Sequence, residues 1–359
     1  MLAVEGPRRL GRRGRLAVAA LALIVVVAVA WAGIQAVTAP RVEVAATRVL
    51  GPIGAPATVT ARDGGASALI GGRILWTFGD TLSTAKGVDG SSGRSNTAAL
   101  ADPAKPLVVS EPLDTKGVPG ALLPFEAEEQ AANAAGGPRI ALWPTSVVAT
   151  GAGGGLVFYL KLRVRGPLTY DYVGIGVARI AAGSTVARRE AGLLFQGADP
   201  LLGYAFVDGD NIVAYGAPIG SGDYRVGRAP LAAATDRAAW RFWTGSQWGT
   251  DPAAAAGVLS GIPGAVSVAF NPFLGRYLAV HSEALSGRAV LRTADRPEGP
   301  WSRTAVAFEG APAPSGSFDY AAIQHPELSS NGGRTIAITY YHPLGAFRGE
   351  LLLVEADLK

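Results

Sequence analysis

Five times along this chain the same pattern returns: a short apolar strand, a turn rich in glycine, asparagine or aspartate, and a second apolar strand. The units begin near residues 63, 144, 203, 265 and 320. Turns such as GAGGG after ALWPTSVVAT, DGDN after GYAFV, NPFLG after VSVAF and SNGGR after YAAIQHPELS recur too closely for long helices. The 48 glycines and 24 prolines extend that punctuation over the whole chain. An all-β fold follows. Many strands are apolar at consecutive positions, so they call for burial on both faces. A five-bladed β-propeller meets both demands, because radially stacked sheets cover each other around a central channel. A two-sheet sandwich is the alternative, and it would not need so many hairpins. The valine-rich stretch 42–50 is expected to complete the last sheet beside GELLLVEA (349–356) and so close the ring.

The expected organisation is a basic tail (1–15), an apolar segment (16–34), a linker with the ring-closing strand (35–54) and the propeller (55–359). The segment LAVAALALIVVVAVAWAGI is 19 residues long, enough to cross a bilayer as a transmembrane helix. Five arginines precede it (Arg8, Arg9, Arg12, Arg13 and Arg15), which places the tail in the cytoplasm and the propeller outside the cell. A cleaved signal peptide is the alternative, since Ala28-Val29-Ala30 and Ala30-Trp31-Ala32 resemble cleavage sites; the propeller would then be secreted. The tail also accounts for the net charge of +4: beyond residue 40 the chain has 27 basic and 27 acidic residues. A phosphate-tracking surface is therefore not expected, nor is a nucleic-acid partner. With no cysteine, the fold must stand on its core without disulfides.

Candidate chemistry lies at the strand ends. The run LIGGRILWTFGDT (69–81) reads as two strands about a Gly71-Gly72 turn, with Asp80 where the second strand opens into a loop. Asp63 lies just before the first strand, so the hairpin brings Asp63 and Asp80 to one edge. Asn96, Trp143, Thr145, Asp171, Tyr320, Gln324 and His325 are further polar or aromatic residues at strand ends, expected at the same mouth as substrate contacts. Paired carboxylates among aromatic and amide groups suit glycosidic bond cleavage, where one acid protonates the leaving oxygen and the other is base or nucleophile. Asp80, flanked by the Trp76–Phe78 strand, is the expected acid and Asp63 the base. His325 is read as a sugar-hydroxyl ligand or an acid-tuning neighbour, with a satisfied inner-strand histidine as the alternative.

Other site types are not indicated. His281, His325 and His342 stand in different settings and no cysteine is present, so no metal or cofactor is expected. Asp208-Gly209-Asp210-Asn211 has the composition of a hairpin turn more than of a calcium loop. Residues 103–140, rich in Pro and Gly and carrying Glu126, Glu128 and Glu129, break the rhythm and are long enough to wall a cleft, with a solvated insertion as the alternative.

Across most of 55–357, ILWTFGDT, RSNTAA, LWPTSVV, AFNPFLGRYLAVHS, RTADRPEGPWS and YAAIQHPELSSNGG occur in the order seen in a family of secreted five-bladed propellers frequent in actinobacteria. The chain resembles that family, long catalogued as a domain of unknown function, some of whose members are endo-D-arabinanases. The resemblance implies hydrolysis of internal D-arabinofuranosyl linkages in arabinogalactan or lipoarabinomannan. It also implies catalytic aspartates in the first blade, which map onto Asp63 and Asp80. The expected unit is a monomer acting on cell-wall arabinan. A propeller that binds carbohydrate without cutting it, or a cell-envelope interaction module, is the alternative.

Overall fold

The computed structural model describes residues 42–151, 153–166 and 169–359. The tail and apolar segment 1–34 lie outside the described residues, and among those described no helix is long and apolar enough to cross a membrane.

Five antiparallel sheets form the five blades of a propeller. Their innermost strands are Val59–Ile70, Arg139–Ala149, Tyr204–Asp208, Val266–Asn271 and Tyr320–Gln324. Each packs against the next, and the fifth against the first, so the inner strands ring a channel. Their beginnings, at 59, 139, 204, 266 and 320, fall close to the repeat starts read from the sequence. The outer strand of blade 5 is not the next in sequence. It is Val44–Pro52, which pairs antiparallel with Arg348–Leu358 and closes the ring as the valine pattern requires.

The apolar runs are explained by burial on both faces. Ile74, Leu75, Trp76, Thr77 and Phe78 are all buried, although they alternate across the sheet. Leu75 joins Leu142 and Tyr159 between blades 1 and 2. Ile74, Trp76 and Phe78 join Leu351 and Leu353 between blades 5 and 1. Phe158 and Phe195 pack on Trp240 and Phe242 between blades 2 and 3. Tyr215 and Trp301 lie between blades 3 and 4, and Leu278, Val280, Ile336 and Ile338 between blades 4 and 5. Each of the five blade interfaces thus has its own apolar cluster.

Two segments resolve differently from one another. Asp208–Asn211 is the hairpin turn expected, joining Tyr204–Asp208 to Asn211–Gly216. The long stretch 103–140 is no open wall. It contributes an outer strand, Lys105–Ser110, and a helix, Ala127–Ala134, and it buries Leu122 and Leu123 completely between blades 1 and 2. Glu129 of that helix binds Arg189 at 2.6 and 3.0 Å and Lys161 at 2.5 Å, fastening the insertion to blade 2.

The interface between the last and first blades is the seam of the ring. Leu353→Ala (1% exposed) is expected to lower the unfolding free energy by about 2–5 kcal/mol. Val49→Ala, on the closing strand but 59% exposed, should stay within about 0.5 kcal/mol. Denaturant unfolding of both variants measures the contrast.

Candidate active site

The first hairpin turns at Gly71 and Gly72, both at positive φ, a backbone region that side chains other than glycine resist. At its open end the ladder slips: Arg62 pairs with Thr81, but Gly64 pairs with Phe78. Asp63 alone therefore faces both Gly79 and Asp80, a β-bulge that re-aims its side chain. Gly79 is what makes this fit, since a Cβ there would meet Asp63 Oδ1 at 2.5 Å. The two aspartates meet at one edge, as the hairpin argument holds. Both lie inside their strands, however, and not at a strand start or a loop exit.

Each carboxylate is held from a different neighbouring blade. Tyr320, first residue of the inner strand of blade 5, donates its hydroxyl to Asp63 Oδ2 at 2.8 Å. Trp143, on the inner strand of blade 2, donates Nε1–H to Asp80 Oδ1 at 3.0 Å. Burial, with the charge of Asp80 added, pushes Asp63 up to about 7, against the hydrogen bonds from Tyr320 and the Asp80 backbone. Burial also raises Asp80, with the Trp143 hydrogen bond and the charge of Arg139 opposing it. The deeper, more strongly perturbed carboxyl is thus Asp63, the reverse of what the flanking residues suggest.

The pair opens into a cavity of about 640 Å³ whose wall includes Trp143, Tyr170, Phe318 and Tyr320. Trp143 and Tyr170 meet edge to face at 5.1 Å. Two further carboxylates line the cavity that sequence reasoning missed, Glu283 and Asp319. Asp319 is buried and its Oδ1 lies 2.8 Å from His342 Nδ1; burial raises its pKa and His342 opposes the rise. Glu283 is half-exposed, 3.6 Å from Arg288. Their available signal was position: Asp319 adjoins Tyr320, and Glu283 follows the strand Arg276–Ser282 at the same rim.

Of the residues expected at the mouth, the structure brings Trp143 and Tyr320 to the aspartates and leaves five away from that cavity. Asn96 is buried, its carbonyl accepting from the Leu123 N–H at 2.7 Å and its amide donating to the Leu142 carbonyl at 3.1 Å. Thr145 donates to the Gly203 carbonyl at 2.6 Å and lines both the channel and a second cavity on the other side of Trp143. Gln324 also lines the channel, its amide donating to the carbonyls of Leu278 and Ser267. Asp171 is on the outside, 2.6 Å from Arg165. His325 is 0% exposed, with Nδ1 2.6 Å from Ser67 Oγ and Nε2 2.8 Å from Thr339 Oγ1. Burial lowers its pKa to about 3, so it is a neutral interior histidine that does not reach the cavity. Among the described residues no group of three or more His, Cys, Asp or Glu is placed to hold a metal ion.

A model of a domain of unknown function (DUF4185) matches residues 180–342, a little under half of the chain and a span that excludes Asp63 and Asp80. No curated protein matches the sequence. Among solved structures, a "putative hydrolase" from Bacteroides ovatus superposes with a TM-score of 0.61 at 16% identity, over 84% of this chain and 87% of that one. The exo-β-1,3-galactanase of Phanerochaete chrysosporium superposes with a TM-score of 0.54 at 13% identity, over 86% of this chain and 64% of that one. At these identities the likeness is one of fold.

A raised carboxyl pKa has a definite sign for stability. Below the usual value of 3.8 both folded and unfolded chains hold the Asp63 proton. As pH rises towards 7 only the unfolded chain releases it, so this group makes folding progressively less favourable. Asp63→Asn is therefore expected to raise the melting temperature relative to wild type at pH 8 and to leave the difference near zero at pH 4. Thermal melts at the two pH values test this.

Proposed function

We propose that this chain is an endo-acting glycoside hydrolase that cleaves internal D-arabinofuranosyl linkages of cell-wall arabinan. The observation that carries the reading is the pair Asp63 and Asp80: two adjoining carboxyls in one aromatic-walled cavity, one pushed up to about 7. Environments that separate two carboxyls in this way assign an acid and a base. Asp63, neutral at the lower edge of neutrality, gives its proton to the leaving glycosidic oxygen. Asp80, as carboxylate, takes a proton from the water that attacks the anomeric carbon while the carbon–oxygen bond breaks, with inversion at that carbon. Tyr320 and Trp143 orient the two groups through the hydrogen bonds described. Trp143, Tyr170 and Phe318 offer ring surface to sugar C–H groups.

The choice of arabinan rests on the FGDT and QHPELS blocks and their order along the chain. The fold itself suits glycan chemistry, as it does in the fungal galactanase. The run 16–34 supports a propeller tethered outside the cell, beside such a polymer.

Incubation of the chain with purified arabinogalactan should release oligosaccharides of intermediate size. Asp63→Asn and Asp80→Asn are each expected to slow cleavage by about 10²–10⁴-fold. The wild-type rate should fall as pH rises above about 7, where Asp63 loses its proton. Near wild-type turnover in both variants would refute the pair. Loss in Glu283→Gln with activity kept in Asp63→Asn would transfer the acid role to Glu283. Binding of arabinan without any cleavage would make the chain a carbohydrate-binding propeller.

A further inference from the structure

Beside the carboxylate cavity lies a second one of about 450 Å³ on the same mouth of the propeller. The two share Trp143, Pro263 and Gly264, so the indole that holds Asp80 is also the ridge between them. Tyr170 and Tyr172 mark the continuity. Two apart on one strand, they point to the same side, Tyr170 into the first cavity and Tyr172 into the second.

The lining of the second cavity is uncharged, with aliphatic side chains such as Leu160, Ile175 and Ile262 alongside aromatic and hydroxyl-bearing ones. Among the described residues no Asp, Glu, Lys, Arg or His lines it. Tyr204 and Tyr224 face each other with ring centroids 6.0 Å apart and 31° between planes, and Tyr224 donates its hydroxyl to the Gly264 carbonyl. Burial, with Tyr172 close by, pushes the Tyr204 phenol up to about 12, so it remains a neutral donor and acceptor. Tyr172 is 45% exposed, an aromatic face left open to the groove. A wall without charge cannot select a phosphate or a carboxylate. Ring faces for C–H surfaces and neutral hydroxyls for hydroxyls suit an uncharged sugar.

We propose that this cavity is a subsite for the neutral glycosyl residue next to the scissile bond, with Tyr172 as the platform it stacks on. The proposal rests on the glycosidase reading for what occupies the first cavity. It adds that the chain grips its polymer on both sides of Trp143, so that recognition depends on chain length. It also gives endo-action a physical basis, since a trough continuing past the carboxylates accepts a chain that extends in both directions.

The test is affinity along a ladder of D-arabinofuranosyl oligosaccharides, disaccharide upward, measured by calorimetry on the full chain carrying Asp63→Asn so that ligands survive. Affinity is expected to step up by on the order of tenfold once the ligand is long enough to cross Trp143. Adding Tyr172→Ala should abolish the step. Phe270→Ala, an equally exposed aromatic at the far end of the inner strand of blade 4, should keep it. A step that survives Tyr172→Ala, or affinity independent of length, overturns the subsite. Wild-type cleavage of arabinogalactan is assayed alongside. Cleavage without the Tyr172-dependent step leaves the enzyme reading standing and removes the subsite. The step without cleavage keeps the subsite and removes the enzyme. Neither cleavage nor binding removes both.

Discussion

The pairing of Val44–Pro52 with Arg348–Leu358 is the constraint on which the rest of this structure depends. It joins segments as far apart as Arg48 and Glu355, 307 positions distant in the chain. The entropy cost of closing so large a loop grows only with the logarithm of its length, so a full strand of ladder bonds and buried apolar residues can offset it. The surface ion pair between Arg48 and Glu355 adds little, because an exposed pair is screened by water. Leu351 and Leu353 do more, since the closed ring buries them against Trp76 and Phe78 of the first blade. Without closure, blades 5 and 1 would each present an apolar face to solvent.

Closure is also what assembles the cavity. Tyr320 and Asp63 are 257 positions apart, yet they meet because the last and first inner strands are neighbours. Trp143 reaches Asp80 from the other side, so the hairpin bearing the carboxylates is held by both adjoining blades. The back of that hairpin is fixed as well. Arg62, one residue before Asp63, is buried against Phe78 at 3.9 Å and pairs with Glu111 at 2.8 Å. Buried pairs of this kind contribute geometry more than stability, since desolvation of both charges offsets much of their attraction. Here the geometry in question is the bulge at Asp63.

The sequence made legible whatever is periodic or local. Turn residues and unbroken apolar strands sufficed for five blades and the closing strand, and the Gly71-Gly72 turn sufficed to bring Asp63 beside Asp80. Depth around the mouth was much harder to read. IQHP looks like a strand leaving the core, yet His325 is interior because Ser67 and Thr339, from two other strands, supply hydroxyls to its nitrogens. Asn96 is consumed by the backbone of Leu123 and Leu142 in the same way, through partners that no local pattern announces. Asp171 is different, for strand alternation alone puts it opposite Tyr170 and Tyr172. Glu283 and Asp319 stayed hidden because their rim is defined only when the blades are in order.

The raised pKa of Asp63 shows how the fold sets a carboxyl's proton affinity that flanking residues do not. Asp80 borders the more apolar sequence, and simple alternation would put it on the side of Trp76 and Phe78, but the bulge at Gly79 and Asp80 breaks that phase. What surrounds a carboxyl in space is set by the bulge and the seam. The bulge lays Asp63 across the partner strand at Gly79, and the seam covers it with Tyr320 of the last blade. Hydrogen bonds to Asp63 from Tyr320, the Asp80 backbone and its own backbone favour its charged form, yet burial and the adjoining charge of Asp80 outweigh them and carry its pKa from 3.8 to about 7. Like charges this close in a buried site resist ionising together, so one carboxyl keeps its proton. The ring closure that completes the core thereby also shapes the surroundings of Asp63, through the cover and the hydrogen bond of Tyr320.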